Sequence, residues 1–169
     1  FEGPEDYHKR LNSKKLKIDE NSILIMRGCG PVGYPGSAEV VNMQPPDRLL
    51  KKGVRHLPTL GDGRQSGTSE SPSILHVSPE SAIGGDLGIV KTGDRMKIDL
   101  NKRRVDLLIT KSEFKKRRKN KKKFKVINQT PWQEIFRNTV SQLDDGACIN
   151  LMEKYIDVSN IKGIPRDSH

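Results

Sequence analysis

Two glycine-rich segments, each directly after a short apolar run, constrain the fold of this chain most strongly. Residues 22–27 (Ser-Ile-Leu-Ile-Met-Arg) predict a buried strand, and residues 28–36 after them hold four glycines and two prolines. Residues 54–60 are a second strand candidate, followed by residues 61–69, which are rich in Gly, Ser and Thr. Because glycine allows backbone paths that a Cβ would obstruct, each strand is predicted to end in a turn that approaches its surroundings closely.

The other apolar patterns predict short strands mixed with a few helices. Further strands are expected at residues 72–77, 87–90, 95–100 and 104–109. A short helix and its exit are expected within residues 4–17, and further helices from 37, at 46–52, from 130 to 143 and at 151–156. Thr130 as N-cap, Pro131 at the first position and Gln133 two residues later indicate a helix start. This mixture favours an α+β fold, a small barrel or sandwich with helical additions, over a helical bundle.

Basic residues are concentrated in one segment. The 169-residue chain has a net charge of +10, but residues 111–125 hold ten Lys and Arg and one acid, whereas the remainder has 21 basic and 20 acidic residues. Such a segment is typical of a nucleic-acid-binding or nuclear-localisation patch, or of a solvated Lys-rich helix. We favour the solvated helix, because only Phe114 and Phe124 are interleaved and these are too few for base stacking.

The cysteine content and hydropathy exclude several classes of protein. Cys29 and Cys148 are the only cysteines and form no CxxC pair, so neither a disulfide framework nor a cysteine metal site is expected. No apolar run has transmembrane length. These features predict a cytoplasmic protein with free thiols and no membrane segment. The start at Phe1, without an initiator Met or signal peptide, is expected for part of a longer polypeptide.

Two polar features are candidate binding groups. The backbone N–H groups of residues 61–69 could cradle a carboxylate or phosphate, and Glu39, just beyond the first glycine-rich segment, could bind Mg²⁺ through its oxygens. The alternatives are an ordinary Gly/Ser surface loop and a solvated Glu in the first turn of a helix. Residue chemistry alone favours these alternatives.

Four sequence blocks, taken together, resemble one family. They are residues 26–39 (Met-Arg-Gly-Cys-Gly-Pro-Val-Gly-Tyr-Pro-Gly-Ser-Ala-Glu), 61–69 (Gly-Asp-Gly-Arg-Gln-Ser-Gly-Thr-Ser), 76–82 (His-Val-Ser-Pro-Glu-Ser-Ala) and 92–95 (Thr-Gly-Asp-Arg). Their order and spacing resemble the C-terminal domain of the dihydroxy-acid and sugar-acid dehydratases. The resemblance extends from Phe1 to about Ile109 and resumes at residues 130–134. The first block is more similar to arabinonate- or xylonate-type members than to the branched-chain enzymes.

The resemblance implies a fold and a reaction. It implies a swivelling, barrel-like β/β/α domain over residues 1–110. The change in composition after Thr110 predicts a basic linker or helix over 111–129, which is unlike the family, and a C-terminal helical tail over 130–169 that packs on the domain. Family members remove water from a 2,3-dihydroxy acid to give a 2-keto-3-deoxy acid. They use an iron–sulfur cluster as Lewis acid and a Mg²⁺ ion that binds the substrate.

The resemblance also implies roles for individual residues. Ser66 matches the serine that abstracts the C2 proton as an alkoxide, and Glu39 matches a Mg²⁺ ligand. Thr68, Ser69 and His169 are expected to contact the substrate.

The chain departs from the family pattern in one respect. The cluster ligands belong to an N-terminal domain that this chain does not contain, and neither cysteine matches one of them. The isolated chain is therefore expected to be inactive. Its expected partners are a sugar acid, the N-terminal domain and further copies in a homo-oligomer, with nucleic acid binding by residues 111–125 as the alternative function. The cluster type and the sugar acid stay open.

Overall fold

Three short parallel strands form the central sheet. The structure is a computed structural model that describes residues 1–36, 42–65, 71–121, 123–151 and 155. The strands are β1 (Leu24–Met26), β2 (Thr59–Gly61) and β3 (Ser73–Ile74), with β2 in the middle. In register, Thr59 lies opposite both Leu24 and Ser73. Because the strands are parallel, β1 and β2 end at the same edge of the sheet, where both glycine-rich segments begin.

A separate hairpin and four helices complete the elements of the described ranges. Strands β4 (Met96–Asp99) and β5 (Arg104–Leu107) pair antiparallel. The helices are α1 (Pro4–Arg10), α2 (Asp47–Leu50), α3 (Lys111–Lys119) and α4 (Pro131–Thr139). The predicted N-cap of α4 is confirmed, since the Thr130 side chain accepts a hydrogen bond from the Gln133 N–H at 3.3 Å. Short 3₁₀ turns lie at Ser81–Ile83, Asp86–Ile89 and Leu143–Asp145.

Three sequence predictions need correction. The strand predicted at residues 87–90 is wrong, because Asp86–Ile89 is a 3₁₀ turn in which the carbonyls of Leu87 and Gly88 accept hydrogen bonds from Arg27. A short apolar run cannot by itself distinguish a strand from a buried turn. The strand predicted at 54–60 begins only at Thr59, and the helix from 130 ends at Thr139 rather than at residue 143. The short helix predicted within residues 4–17 is confirmed as α1.

The apolar core packs beside the central sheet. Its buried members come from α1, β1, the first glycine-rich segment, residue 43, α2 and residue 57: Tyr7, Leu24, Met26, Cys29, Met43, Leu49 and Leu57. The Tyr7 hydroxyl donates to the Gln44 carbonyl at 3.1 Å, so this polar group is satisfied at the core boundary. The core therefore supports β1 and the loop that follows it.

The basic segment begins with a helix that packs on the domain. Arg117 of α3 donates to both carboxylate oxygens of Asp94, at 2.6 and 3.1 Å, and to Glu113 at 2.7 Å. Lys121 donates to the carbonyls of Gly84 and Gly85. Part of the positive charge of residues 111–125 is thus used within the fold.

The α+β class is confirmed, but the barrel is not. In the described part of the chain the sheet of β1, β2 and β3 stays open, and the β4–β5 hairpin forms a second small sheet. The barrel-like β/β/α arrangement therefore remains a prediction. None of the helices in the described ranges is both long and apolar enough to cross a membrane.

Candidate functional site

Asp62 links the two glycine-rich segments at the carboxyl edge of the sheet. It follows β2 directly and is fully buried. Its oxygens accept hydrogen bonds from the backbone N–H groups of Gly28 and Cys29, both at 3.0 Å. They also accept from the Ser81 N–H at 2.9 Å and the Ser81 hydroxyl at 2.5 Å. One carboxylate thus joins the loop after β1, the loop after β2 and the turn at Ser81.

A second buried carboxylate, Glu80, holds the next part of the first loop. It is fully buried and accepts from the N–H groups of Val32 and Gly33, both at 2.8 Å. Gln142 donates to the same carboxylate at 2.9 Å, and Arg137 of α4 donates to the Val32 carbonyl at 2.8 Å. Residues beyond 130 therefore contact the first glycine-rich segment directly.

Glycine is required where these segments approach one another. A Cβ on Gly63 would lie 2.5 Å from the Cβ and the carbonyl oxygen of Cys29, and one on Gly30 would lie 2.5 Å from a Glu80 oxygen. Atoms cannot approach this closely without displacement of the backbone. The predicted close approach of these loops is confirmed at both positions.

Gln65 closes the described part of the second loop. It is 9% exposed, and its Oε1 accepts from the Thr59 hydroxyl at 2.9 Å. Its Nε2 is buried without a hydrogen-bond partner among the described residues. A buried amide N–H₂ group is costly when it is unsatisfied.

Cys29 is a buried thiol. Burial raises its pKa to about 12, and the negative charge of Asp62 adds to the increase. A thiol with this pKa is protonated at neutral pH.

A wide cleft lies apart from this edge. Its volume is about 850 Å³, and its lining includes basic side chains and residues 90–96 but, within the described ranges, none of residues 28–36 or 61–65. We therefore regard the carboxyl edge of β1 and β2, rather than the cleft, as the candidate site.

Comparison with known proteins decides the family. Residues 1–147 match the family model described as dihydroxy-acid/6-phosphogluconate dehydratase C-terminal. The chain belongs to this dehydratase family. The resemblance inferred from the four sequence blocks is therefore confirmed.

Individual dehydratases of the family cover most or all of the chain. It is 54% identical over all 169 residues to the D-xylonate dehydratase of Caulobacter vibrioides. It is 46% identical over 69% of its length to the L-arabinonate dehydratase of Rhizobium leguminosarum bv. trifolii. It is 37% identical over 88% of its length to the dihydroxy-acid dehydratase of Thermodesulfovibrio yellowstonii. The chain spans 20% to 28% of the length of these three dehydratases.

The predicted dehydratase site residues lie outside the described residues. This applies to Glu39, Ser66, Thr68, Ser69 and His169. The structure describes the segments that lead to two of them, with residue 36 preceding Glu39 by three positions and Gln65 preceding Ser66 directly. The sequence interpretation missed Asp62 and Glu80, although both stand inside the quoted blocks. The sequence signal that could have identified them is a charged residue between two glycines, as Asp62 is, or directly after a proline, as Glu80 is.

The described residues do not by themselves fit either group that the dehydratase family implies. Within the described ranges no three His, Cys, Asp or Glu side chains come together as a metal site. The oxygens of Asp62 and Glu80 already accept N–H donors, and Cys29 is a buried, protonated thiol. We therefore derive no step through a cluster or a metal ion.

Proposed function

We propose that this chain is the C-terminal part of a longer sugar-acid dehydratase. The observation that carries the proposal is the 54% identity, over the whole chain, with a D-xylonate dehydratase. The similarity to an L-arabinonate dehydratase favours the same substrate class, a five-carbon 2,3-dihydroxy acid. The identity with the branched-chain-type dihydroxy-acid dehydratase is lower, at 37%.

In this proposal Ser66, as an alkoxide, removes the proton at C2 of the substrate. The electron pair of the broken C2–H bond forms the C2–C3 double bond, and the C3 hydroxyl leaves as water after taking up a proton. The resulting enol becomes the 2-keto-3-deoxy acid. A free serine hydroxyl is too weak a base for this step, so its pKa must be lowered by neighbouring positive charge.

The other predicted site residues complete the proposal. Thr68, Ser69 and His169 would contact the substrate, and Glu39 would contribute one Mg²⁺ ligand. The cofactors of the proposal are Mg²⁺ and an iron–sulfur cluster, which would supply Lewis-acid chemistry when bound. We assign the cluster ligands to an N-terminal domain of the longer protein, and a swivelling β/β/α fold to residues 1–110 of this chain. We further propose that the enzyme is a homo-oligomer and that it is located in the cytoplasm.

The buried carboxylates support this proposal through the scaffold that they build. Catalytic groups must be held in a defined geometry, and sites at the ends of parallel strands are positioned by loops that a rigid sheet carries. Here hydrogen bonds join the loop after β1 to Asp62 in the loop after β2, and they join these loops to residues 80–81. This arrangement suits a domain that contributes residues to an active site completed by another domain of the longer protein.

The test is a substrate comparison with the longer protein. We expect 2-keto acid to form from D-xylonate or L-arabinonate at a kcat/KM at least about tenfold above that for a branched-chain dihydroxy acid. The 169-residue chain alone should form no product under the same conditions. Preference for the branched-chain acid, or no product from any 2,3-dihydroxy acid, would contradict the proposal.

A further inference from the structure

Among the described residues, Asp62 accepts hydrogen bonds from uncharged donors. Within these ranges three backbone N–H groups and one hydroxyl donate to it, and no cationic side chain is paired with it. Taking a carboxylate out of water is costly, and here only donors at fixed positions offset that cost. The loops that carry those donors therefore cannot shift without leaving a buried charge partly unsatisfied.

The donors belong to segments that are far apart in sequence. Gly28 and Cys29 begin the loop after β1, and Ser81 begins the 3₁₀ turn at Ser81–Ile83. The Ser81 hydroxyl also accepts a hydrogen bond from the Gly28 N–H at 2.8 Å, so each of the three segments is bonded to the other two. Asp62 is the common acceptor of this network.

Close packing and backbone hydrogen bonds also hold the two residues that flank Asp62. The Gly63 Cα lies so close to Cys29 that no Cβ fits between them, and Gly63 accepts a hydrogen bond from the His76 N–H at 3.3 Å. The Gly61 carbonyl accepts from the Val77 N–H at 3.0 Å. The backbone is therefore held at Gly61 and at Gly63, directly before and after Asp62.

We propose that Asp62 is a positioning residue for the dehydration: it fixes the start of the loop after β1 relative to the loop that leads to Ser66. This inference rests on the proposed function. Asp62 stands four residues before Ser66 and is buried, so it acts through the backbone and not on the substrate. Displacing a catalytic group by about 1 Å is sufficient to lower turnover about 100-fold.

The experiment replaces Asp62 by Asn in the longer dehydratase. Asn keeps the volume, but one carboxylate oxygen becomes an NH₂ group that faces N–H donors instead of accepting from them. The control is Asp94→Asn, which alters another carboxylate with a structural partner, Arg117, away from these loops. Both variants are checked for folding by circular dichroism and thermal unfolding, and kcat, KM and backbone amide exchange are then measured.

The expected result is specific to positioning. Asp62→Asn should lower kcat at least about 100-fold and change KM much less, because removal of the C2 proton is more sensitive to the position of the base than substrate binding is. The Gly28 and Cys29 amides should exchange faster by about tenfold or more, whereas the Val32 and Gly33 amides, held by Glu80, should change little. Asp94→Asn should keep kcat within about twofold of the wild type.

Several outcomes would overturn the inference. One is a folded Asp62→Asn variant whose kcat equals that of the Asp94→Asn control. Another is an Asp62→Asn variant that loses kcat while its Gly28 and Cys29 backbone amides exchange at the wild-type rate. If Asp62→Asn does not fold, Ser81→Ala removes only the bridging hydroxyl. That variant should lower kcat about 3- to 10-fold, and an unchanged kcat and exchange pattern would count against the inference. A wild-type protein that turns over no sugar acid would instead refute the proposed function, and with it any role of Asp62 in turnover.

Discussion

Gln142 and Glu80 are joined by two hydrogen bonds. The Gln142 Oε1 accepts from the Glu80 backbone N–H at 3.0 Å, and its Nε2 donates to the Glu80 carboxylate at 2.9 Å. The two residues are 62 positions apart in sequence. Because Glu80 also holds the N–H groups of Val32 and Gly33, this pair connects the C-terminal segment to the loop after β1.

Removing that pair should destabilise the domain. Gln142→Ala deletes both hydrogen bonds, one of them to a buried carboxylate, and should lower the free energy of unfolding by about 1–3 kcal/mol in denaturant titrations. Gln129→Ala is the matched control, because Gln129 is exposed and no hydrogen bond is described for its side chain. Equal stabilities for the two variants would argue against a structural role for the Gln142–Glu80 pair.

Gly63 should tolerate no larger side chain. The Cβ of Gly63→Ala would overlap Cys29, including its backbone carbonyl, so the loop must shift and stability should fall by about 1–3 kcal/mol or more. At Gly88 an added Cβ would lie 2.7 Å from the Cε of the flexible Lys121 side chain and at an ordinary contact distance of 3.6 Å from the Ser81 Cβ. Gly88→Ala should therefore cost clearly less in the same unfolding assay, and a reversed order of the two costs would refute this account of the packing.

The Asp94–Arg117 pair should contribute to acid sensitivity. Burial alone would raise the pKa of Asp94, but hydrogen bonds from Arg117 and the Lys91 N–H, together with the positive charges of both residues, lower it overall. A carboxyl with a lowered folded-state pKa stabilises the fold above its unfolded pKa. That stabilisation is lost as the pH falls through the folded pKa.

We therefore expect Asp94→Asn to have a smaller difference in unfolding free energy between pH 7 and pH 3 than the wild type. Asp106→Asn, which alters an exposed pair with Arg104, should keep the wild-type pH dependence more closely. Identical pH profiles for the wild type and Asp94→Asn would exclude a contribution from this pair.

The two thiols should differ sharply in reactivity. Cys29 is buried with a pKa of about 12, whereas Cys148 is exposed. A disulfide reagent at pH 8 should therefore label one thiol in the native chain and both in denaturant. Cys148→Ser should abolish native labelling, and rapid labelling of that variant would show that Cys29 is accessible.

The sequence predicted the elements whose signals are local. Apolar runs located β1 and β2, and Thr130 with Pro131 located the start of α4, because strand burial and helix capping depend on residues close in sequence. The turn at Asp86–Ile89 was predicted wrongly because the groups that define it, such as Arg27, come from 60 residues away. The family was predictable because four blocks had to coincide in order and spacing.

The scaffold of the candidate site could not be predicted in the same way. Nothing local to Asp62 or Glu80 reveals that their partners are backbone N–H groups of residues 28–33, because these bonds span 33 to 48 positions. The clash at Gly63 likewise depends on Cys29, which lies on another segment. The roles of Ser66, Glu39, Thr68, Ser69 and His169 remain predictions, since these residues lie outside the described ranges.

The most direct test of the central claim is the C2 proton itself. The longer protein is incubated with a pentonate deuterated at C2, and loss of the label and formation of the keto acid are followed by NMR for the wild type and Ser66→Ala. We expect Ser66→Ala to lower both rates by about 10²–10⁴-fold while circular dichroism stays unchanged. A Ser66→Ala protein that releases the C2 label at the wild-type rate would contradict the assignment of Ser66 as the base.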